Sequence, residues 1–228
     1  MLSSDTELLS VDMEKASTSI RSRSRRPAAD LAAALLDAAA VEFAAHGFEG
    51  ASTRRIAERA GAHQPQINYH FASKEQLWRA TVDRLFALLV VPDVAAAPDP
   101  ASAFAAGVER FLQVSASHPE LNRIVNQEAT APSSRLDWLV ATHLRPLHRL
   151  VAAAWADVRA SGAGADLPAD EVWELVTTYG ALRFANAPML ALLEIPSGTE
   201  PADAAEHARR VLSVLGLAPA PGSRPGRR

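Results

Sequence analysis

The sequence predicts an all-α fold of about nine helices. Alanine is abundant while β-branched and aromatic residues are sparse, a balance that favours helix over strand. Prolines and glycines gather between long alanine-rich segments, as they do at short loops joining helices. Within those segments the apolar residues recur at steps of three and four.

Residues 1–26 are polar, end in Arg21, Arg23, Arg25 and Arg26, and read as a disordered, basic-ended arm. A first helix is expected over about Ala28 to Ala45, where Leu31, Leu35, Ala39 and Phe43 share a face, with Gly47 ending it. A short second helix starts after Ser52 or Thr53, either able to cap it, and ends near Ala60, with Gly61 in a tight turn. A third covers about Gln64 to His70. A fourth runs from Ser73 to about Val91, and Ser73 with Gln76 has capping-box spacing. After a Pro/Ala/Asp linker, Pro92 to Pro100, five further helices fit about 101–117, 119–129, 134–160, 168–191 and 201–215. Pro146 and Pro188 fall inside two of these spans, so each predicts a kink or an earlier stop. The tail from Ala218, rich in Pro, Gly and Arg, reads as disordered.

Composition narrows the functional classes. The chain has 228 residues and no cysteine, which removes disulfides and thiolate chemistry. Its longest unbroken apolar runs, Leu85 to Val91 and Leu150 to Ala156, fall far short of the roughly 20 residues of a membrane span. With no signal-peptide core at the N-terminus, the expectation is a cytoplasmic protein with no membrane partner. The net charge is −3, unevenly spread. Residues 21–80 hold nine Lys/Arg against six acids, and the flanking blocks are acidic. A single locally basic module is the pattern expected where nucleic-acid contact is confined to one small domain.

The stretch from Thr53 to Phe71 has the requirements of a helix-turn-helix, in which two short helices cross over a three- to four-residue turn. Ala57 is the small residue at the crossing, Gly61 tolerates positive φ in the turn, and Ile67 faces inward from the second helix. Ile56, Ala60, Phe43, Phe48 and Phe71 complete the small core. The leading residues of the second helix are the ones that reach base edges in a major groove. Here they are His63, Gln64, Pro65 and Gln66. Glutamine can bond adenine N6 and N7 together, and Pro65 is tolerated in a first turn. No acid lies between residues 59 and 74.

Residues 28–91 resemble the DNA-binding region of the TetR (tetracycline-repressor) family. The segments Leu36 to Phe43, Gly47-Phe48, Thr53 to Lys74 and Glu75 to Leu77 carry the likeness, and Tyr69-His70-Phe71-x-x-Lys74-Glu75 is its most specific part. The resemblance implies an N-terminal three-helix helix-turn-helix domain over 27–73, followed by a larger helical ligand-binding and dimerisation domain over 74–217. It implies a base contact from Arg54 and others from Gln64, Pro65 and Gln66. Phosphate contacts would come from Tyr69, His70 and Lys74 and from the caps, matching Thr53 and Ser73. Two positions depart from the family pattern: Asn68 stands where a tyrosine is frequent, and His63 where a capping serine is frequent. The Arg21–Arg26 run is either a solvated tail or a source of further backbone or minor-groove contacts.

In the second domain, Glu128, His143 and Arg183 each fall on an apolar helical stripe. A buried charge must be paired. One reading is a structural Glu128–Arg183 or Glu128–His143 pair. The other is that these groups hold the polar end of an otherwise apolar ligand, with Phe104, Phe111, Trp138, Leu139, Trp173 and Phe184 as walls and Tyr179 beside Arg183 on the same stripe. The last two helices match the family's dimer element, where Leu182, Met189, Leu190, Leu193, Val211 and Leu215 would either meet between subunits or pack within one. The seven histidines form no metal motif, since His143 and His148 are five apart and no H-E-x-x-H occurs. No nucleophile elbow, phosphate loop or dinucleotide fingerprint is present. The resulting expectation is a non-enzymatic regulator with no metal or cofactor, most simply a repressor. Its partners would be a double-stranded, near-palindromic operator, a second copy of the chain and an unidentified small-molecule effector. The alternative is a helical partner-binding protein that retains the motif without operator specificity.

Overall fold

The computed structural model describes residues 28–90, 97–198 and 200–217. The basic arm, most of the expected linker and the tail lie outside them. Among the described residues there are ten helices and no strand.

The head comprises α1 (Ala28–Gly50), α2 (Thr53–Ala60) and α3 (Gln64–His70). Leu35, Ala39 and Phe43 of α1 are fully buried against Ile56, Ala57 and Ile67. The span Ala29–Gly50 is long and apolar enough, by length and composition alone, to cross a membrane, yet its apolar stripe is the head's core. The expected stop at Gly47 takes the form of a kink: φ 66° and ψ 176° put this residue in a region essentially reserved for glycine, and one further turn follows it. Gly61 closes α2 in the left-handed conformation, φ 67°, with the Ala62 N–H returning to the Ala57 carbonyl at 2.9 Å.

Helix α4 (Lys74–Ala87) leaves the head and α5 (Pro100–Ser117) begins the core domain. Helix α6 (Glu120–Glu128) packs along α1, and the Gln127 amide donates to the Ala44 carbonyl at 2.9 Å. One apolar cluster therefore runs from Leu31 through Trp78 to Leu121, Ile124 and Leu139, so that the head shares its core with α4, α6 and α7. A second cluster, built on Leu112, Trp155, Val172, Phe184 and Val211, unites α5, α7, α8 and α10.

The two expected proline breaks resolve differently. Helix α7 begins as Ser134–Leu139, passes through a π-helical stretch at Val140–Leu144 and continues as Arg145–Ala160. Pro146 offers no N–H to residue 142 and crowds its carbonyl, and the wider turn just before it absorbs the mismatch. Helix α8 runs Ala169–Glu174, then a π-helical Leu175–Ala181, then Leu182–Ala185. It stops at Asn186, and Pro188 lies in the first turn of a separate α9 (Ala187–Leu192). This split accounts for the tenth helix. Helix α10 (Pro201–Val214) packs along α5, and Gly180 of α8 sits so close to Leu112 that a Cβ would lie 2.9 Å from its methyl.

Candidate nucleic-acid interface and the cavity behind it

The start of α2 is fixed by a buried carboxylate. Glu42 of α1 is 2% exposed, and its Oε1 accepts the Ser52 N–H at 2.9 Å and the Arg55 Nε–H at 2.7 Å. A second Arg55 nitrogen lies 2.6 Å from the same oxygen and also donates to the Gly50 carbonyl at 2.9 Å. Burial works against the charge. The Arg55 and Ser52 hydrogen bonds, with the charges of Arg55 and His46, outweigh it and hold the carboxyl below the usual glutamate value. Ser52 is the cap, its hydroxyl accepting the Arg55 N–H at 3.4 Å, so Thr53 is the first helical residue and only half-exposed.

Helix α3 turns Ile67 inward and displays Gln64, Pro65, Asn68 and Tyr69 on its outer face. Gln64 with Asn68, and Pro65 with Tyr69, form two adjacent lines at i, i+4 spacing. Tyr69 is 84% exposed. Gln66 is half-buried and turns back on its own helix, its side-chain oxygen accepting the His63 N–H at 2.8 Å. This compensates for the absent serine cap and engages Gln66 locally. His70 is half-buried, its ring 5.2 Å from Tyr69 and 6.2 Å from Phe71. Arg54 is exposed and paired with Glu58 at 2.9 Å. Ser73 caps α4, accepting the Gln76 N–H at 3.1 Å, while the Gln76 oxygen takes the Ala72 N–H at 3.2 Å. Lys74 donates to the Glu49 carbonyl at 3.2 Å and lies 4.9 Å above the Phe48 ring.

Behind the head, a cavity of about 200 Å³ opens between α5, α7 and α8. Phe104, Phe111 and Trp173 line it, with Leu147, Val151 and Val176 completing the apolar wall and Leu89, just beyond α4, reaching its rim. Among the described residues, no charged side chain lines it. Thr177 is the polar lining residue, and its hydroxyl is spent on the Trp173 carbonyl at 2.8 Å.

The polar residues singled out in the sequence lie elsewhere. Glu128, 8% exposed, is paired with Arg135, whose Nε sits 3.2 Å from both carboxylate oxygens. His143 Nε2 is 2.8 Å from Asp83 Oδ1, its ring stacked on Phe86 at 4.3 Å, so it joins α7 to α4. Arg183 donates to the Pro196 and Ser197 carbonyls at 2.9 and 3.1 Å, and approaches His207 Nδ1 at 3.1 Å. Burial first, then the Arg183 charge, push the His207 imidazole below its ordinary value. A neutral ring that accepts from Arg183 at Nδ1 and donates to the Gly180 carbonyl at Nε2 fits this geometry. Trp138 packs edge-on to Trp78 at 5.5 Å, Phe184 and Leu139 are buried in the two clusters, and Tyr179 is 53% exposed beside His207. None of these lines the cavity.

Residues 35–81 match the family model of the bacterial regulatory proteins, tetR family. The HTH-type transcriptional regulator RutR of Escherichia coli K12 is 32% identical over 100 residues, which cover 43% of this chain and 47% of RutR. By its head, this chain is similar to the TetR family. It spans about half the length of the curated relatives it matches. Beyond the head, likeness is carried by fold. The hemolysin II transcriptional regulator HlyIIR superposes with a TM-score of 0.64 at 16% identity, covering 83% of this chain and 98% of that one. The fatty acid degradation regulator FadR from Bacillus halodurans gives 0.61 at 17% identity, covering 85% and 97%.

Two features of this head leave little trace in the sequence. One is the Glu42–Arg55–Ser52 clamp, whose only trace is an acid embedded in the apolar stripe of α1. The other is the seat of Lys74 on Phe48 and Glu49. Glu42→Gln is expected to destabilise the head by about 1–3 kcal/mol near neutral pH, because it replaces a charge-assisted acceptor with a neutral amide. The carboxyl is depressed in the folded state, so its contribution is present above the ordinary glutamate value and is lost as pH falls through the folded one. The gap between wild type and variant should therefore begin to narrow as pH falls below the ordinary glutamate range, and close once it is below the folded-state value. Urea unfolding at a series of pH values checks this, and a pH-independent gap would contradict the clamp.

Proposed function

We propose that this chain is a sequence-specific transcriptional repressor that binds a near-palindromic operator as a homodimer and is released by a small apolar ligand. The observation that carries the reading is the outer face of α3. An apolar anchor, Ile67, holds it from behind, its exposed side chains hydrogen-bond or stack, and no acid lies from Arg59 to Lys74. Within 27–73, Gln64 is placed to read a base edge, with Pro65 and Asn68 beside it. Tyr69, His70, Ser73 and Lys74 ring the helix as phosphate contacts. Arg54 becomes available once it leaves Glu58, while Thr53 and His63 stand at the helix starts, where backbone N–H groups face phosphate. Gln66 serves the helix rather than the base.

The region 74–217 is proposed as the ligand and dimer domain. Val211 and Leu215 are fully buried within the subunit, so the expected dimer surface shifts to the end of α8 and to α9. There Met189, Leu192 and Leu193 are 52%, 88% and 59% exposed. A two-fold dimer sets two recognition helices about 34–36 Å apart, which is why the operator should be an inverted repeat. The described residues lining the cavity carry no charge, so the ligand we propose is uncharged or carries its charge outside. Leu89 at its rim places the end of α4 within reach of whatever fills it, and a ligand that favours a different spacing of the heads would shift the population away from the DNA-competent state. Such a protein would work in the cytoplasm, with no cofactor or catalytic step.

The primary test is selection of random duplex DNA by the purified protein. Enrichment of an inverted repeat supports the reading, and recovery of no enriched sequence favours a partner-binding protein. On the recovered site, Lys74→Ala should weaken all sequences alike and lower the salt slope by about one unit, whereas Gln64→Ala should cost about 1–3 kcal/mol at particular base pairs. Uniform weakening by Gln64→Ala would remove it from base readout.

The cavity makes a separate prediction. Gly107 lines it, and a Cβ there meets nothing within 4 Å. Gly107→Leu should fill the space and improve the helix by up to about 1 kcal/mol. Operator affinity should stay unchanged while release by apolar compounds is lost. Retained release would place the effector elsewhere.

A further inference from the structure

The core domain reaches the DNA-facing surface at one aromatic ring. Phe48, half-buried in the last turn of α1 just past the Gly47 kink, stacks on Phe43 at 6.1 Å and meets Trp78 edge-on at 6.4 Å. The Arg135 guanidinium carbon, from the first turn of α7, lies 3.9 Å from the Phe48 ring centre, and the Lys74 ammonium lies 4.9 Å from the same centre. The neighbouring residue is shared as well. Arg135 Nη1 is 3.6 Å from the Glu49 carboxylate, and Lys74 donates to the Glu49 backbone carbonyl.

Arg135 is itself tightly held. Its side chain is 20% exposed, Nε bridges both oxygens of the buried Glu128, and Ser133, the cap of α7, donates to Glu128 Oε2 at 3.3 Å. The planar guanidinium can stack on the ring while its edge bonds the carboxylate, which an ammonium cannot do. Arg135 thus grips the Phe48–Glu49 turn from the core side, and Lys74 rests on that turn from the DNA side.

We propose that Arg135 is a positioning residue for DNA binding: it touches no nucleic acid, and it sets the Phe48–Glu49 turn that holds Lys74 in place for a phosphate. The inference rests on the reading of the α3–Lys74 face as the DNA surface. Its specific consequence is that Arg135 acts through Lys74, so the two residues must be energetically coupled although one would contact DNA and the other would not.

A double-mutant cycle tests this. Removing Arg135 alone leaves Glu128 buried and unpaired, so the Arg-less protein is E128Q/R135Q, compared with Lys74→Ala and with the triple variant. On the operator recovered by selection, E128Q/R135Q should weaken binding about tenfold in the wild-type background and less than about twofold when Lys74 is already alanine. Arg135→Lys, which keeps the charge and loses the stack, should fall between wild type and E128Q/R135Q. Equal losses in both backgrounds, or wild-type affinity in the Arg-less protein, overturn the inference and leave the DNA reading standing. If the wild-type protein enriches no sequence at all, the DNA reading fails and the inference falls with it.

Discussion

A carboxylate almost sealed from water sets the geometry on which the proposed DNA-binding surface depends. Taking an ionised Glu42 out of water is costly unless every lone pair finds a donor. The donors that satisfy it, the Ser52 N–H and the Arg55 side chain, belong to the first residues of α2. The chain therefore cannot start α2 elsewhere without stranding a charge. With that start fixed, Ile56 and Ala57 meet Ile67 at one register, and Ile67 in turn decides which face of α3 looks outward. The orientation of Gln64 is thus inherited from an ion pair at the start of α2.

The head is attached to the rest of the protein at more than one point. Helix α4 is the covalent connection; its Asp83 meets His143 of α7, and Leu89, just beyond its end, touches the cavity. The second attachment is lateral. Gln127 bonds the Ala44 carbonyl, Trp138 packs on Trp78, and Arg135 covers Phe48. Helix α7 contributes to both attachments and also supplies Leu147, Leu150, Val151 and Ala154 to the cavity wall. Its π-helical stretch lies between the residues that hold the head and those that face the cavity. A single helix therefore physically joins the two regions that a ligand-released repressor must couple.

Local physics was legible in the sequence where one short segment contained all the information. The extents of α2 and α3 follow from caps, Gly61 and the apolar steps, and the breaks at Gly47 and Pro188 follow from residues whose backbone choices are few. Polar residues on apolar stripes were a different matter. The stripes correctly marked Glu128, His143 and Arg183 as partly or wholly buried, but the partners, Arg135, Asp83, and His207 with the 196–197 carbonyls, lie on other elements or across turns. Periodicity carries no information about which helix faces which. The cavity walls were recoverable only for the bulky aromatics Phe104, Phe111 and Trp173. The small residues that make room, Ala103, Gly107 and Ala154, leave no signature in a chain so rich in alanine. Val211 and Leu215 point inward because α10 lies along α5, a packing choice that an amphipathic pattern leaves open.

The outer face of α3 is proposed to enter the major groove of DNA, once per subunit of a symmetric pair. Methylation-interference footprinting on the selected duplex measures this directly, because guanine N7 lies in the major groove. Two interference patches are expected on one face of the duplex, about one helical turn apart and related by the operator's two-fold axis. A single patch, or one confined to the minor groove, would contradict it.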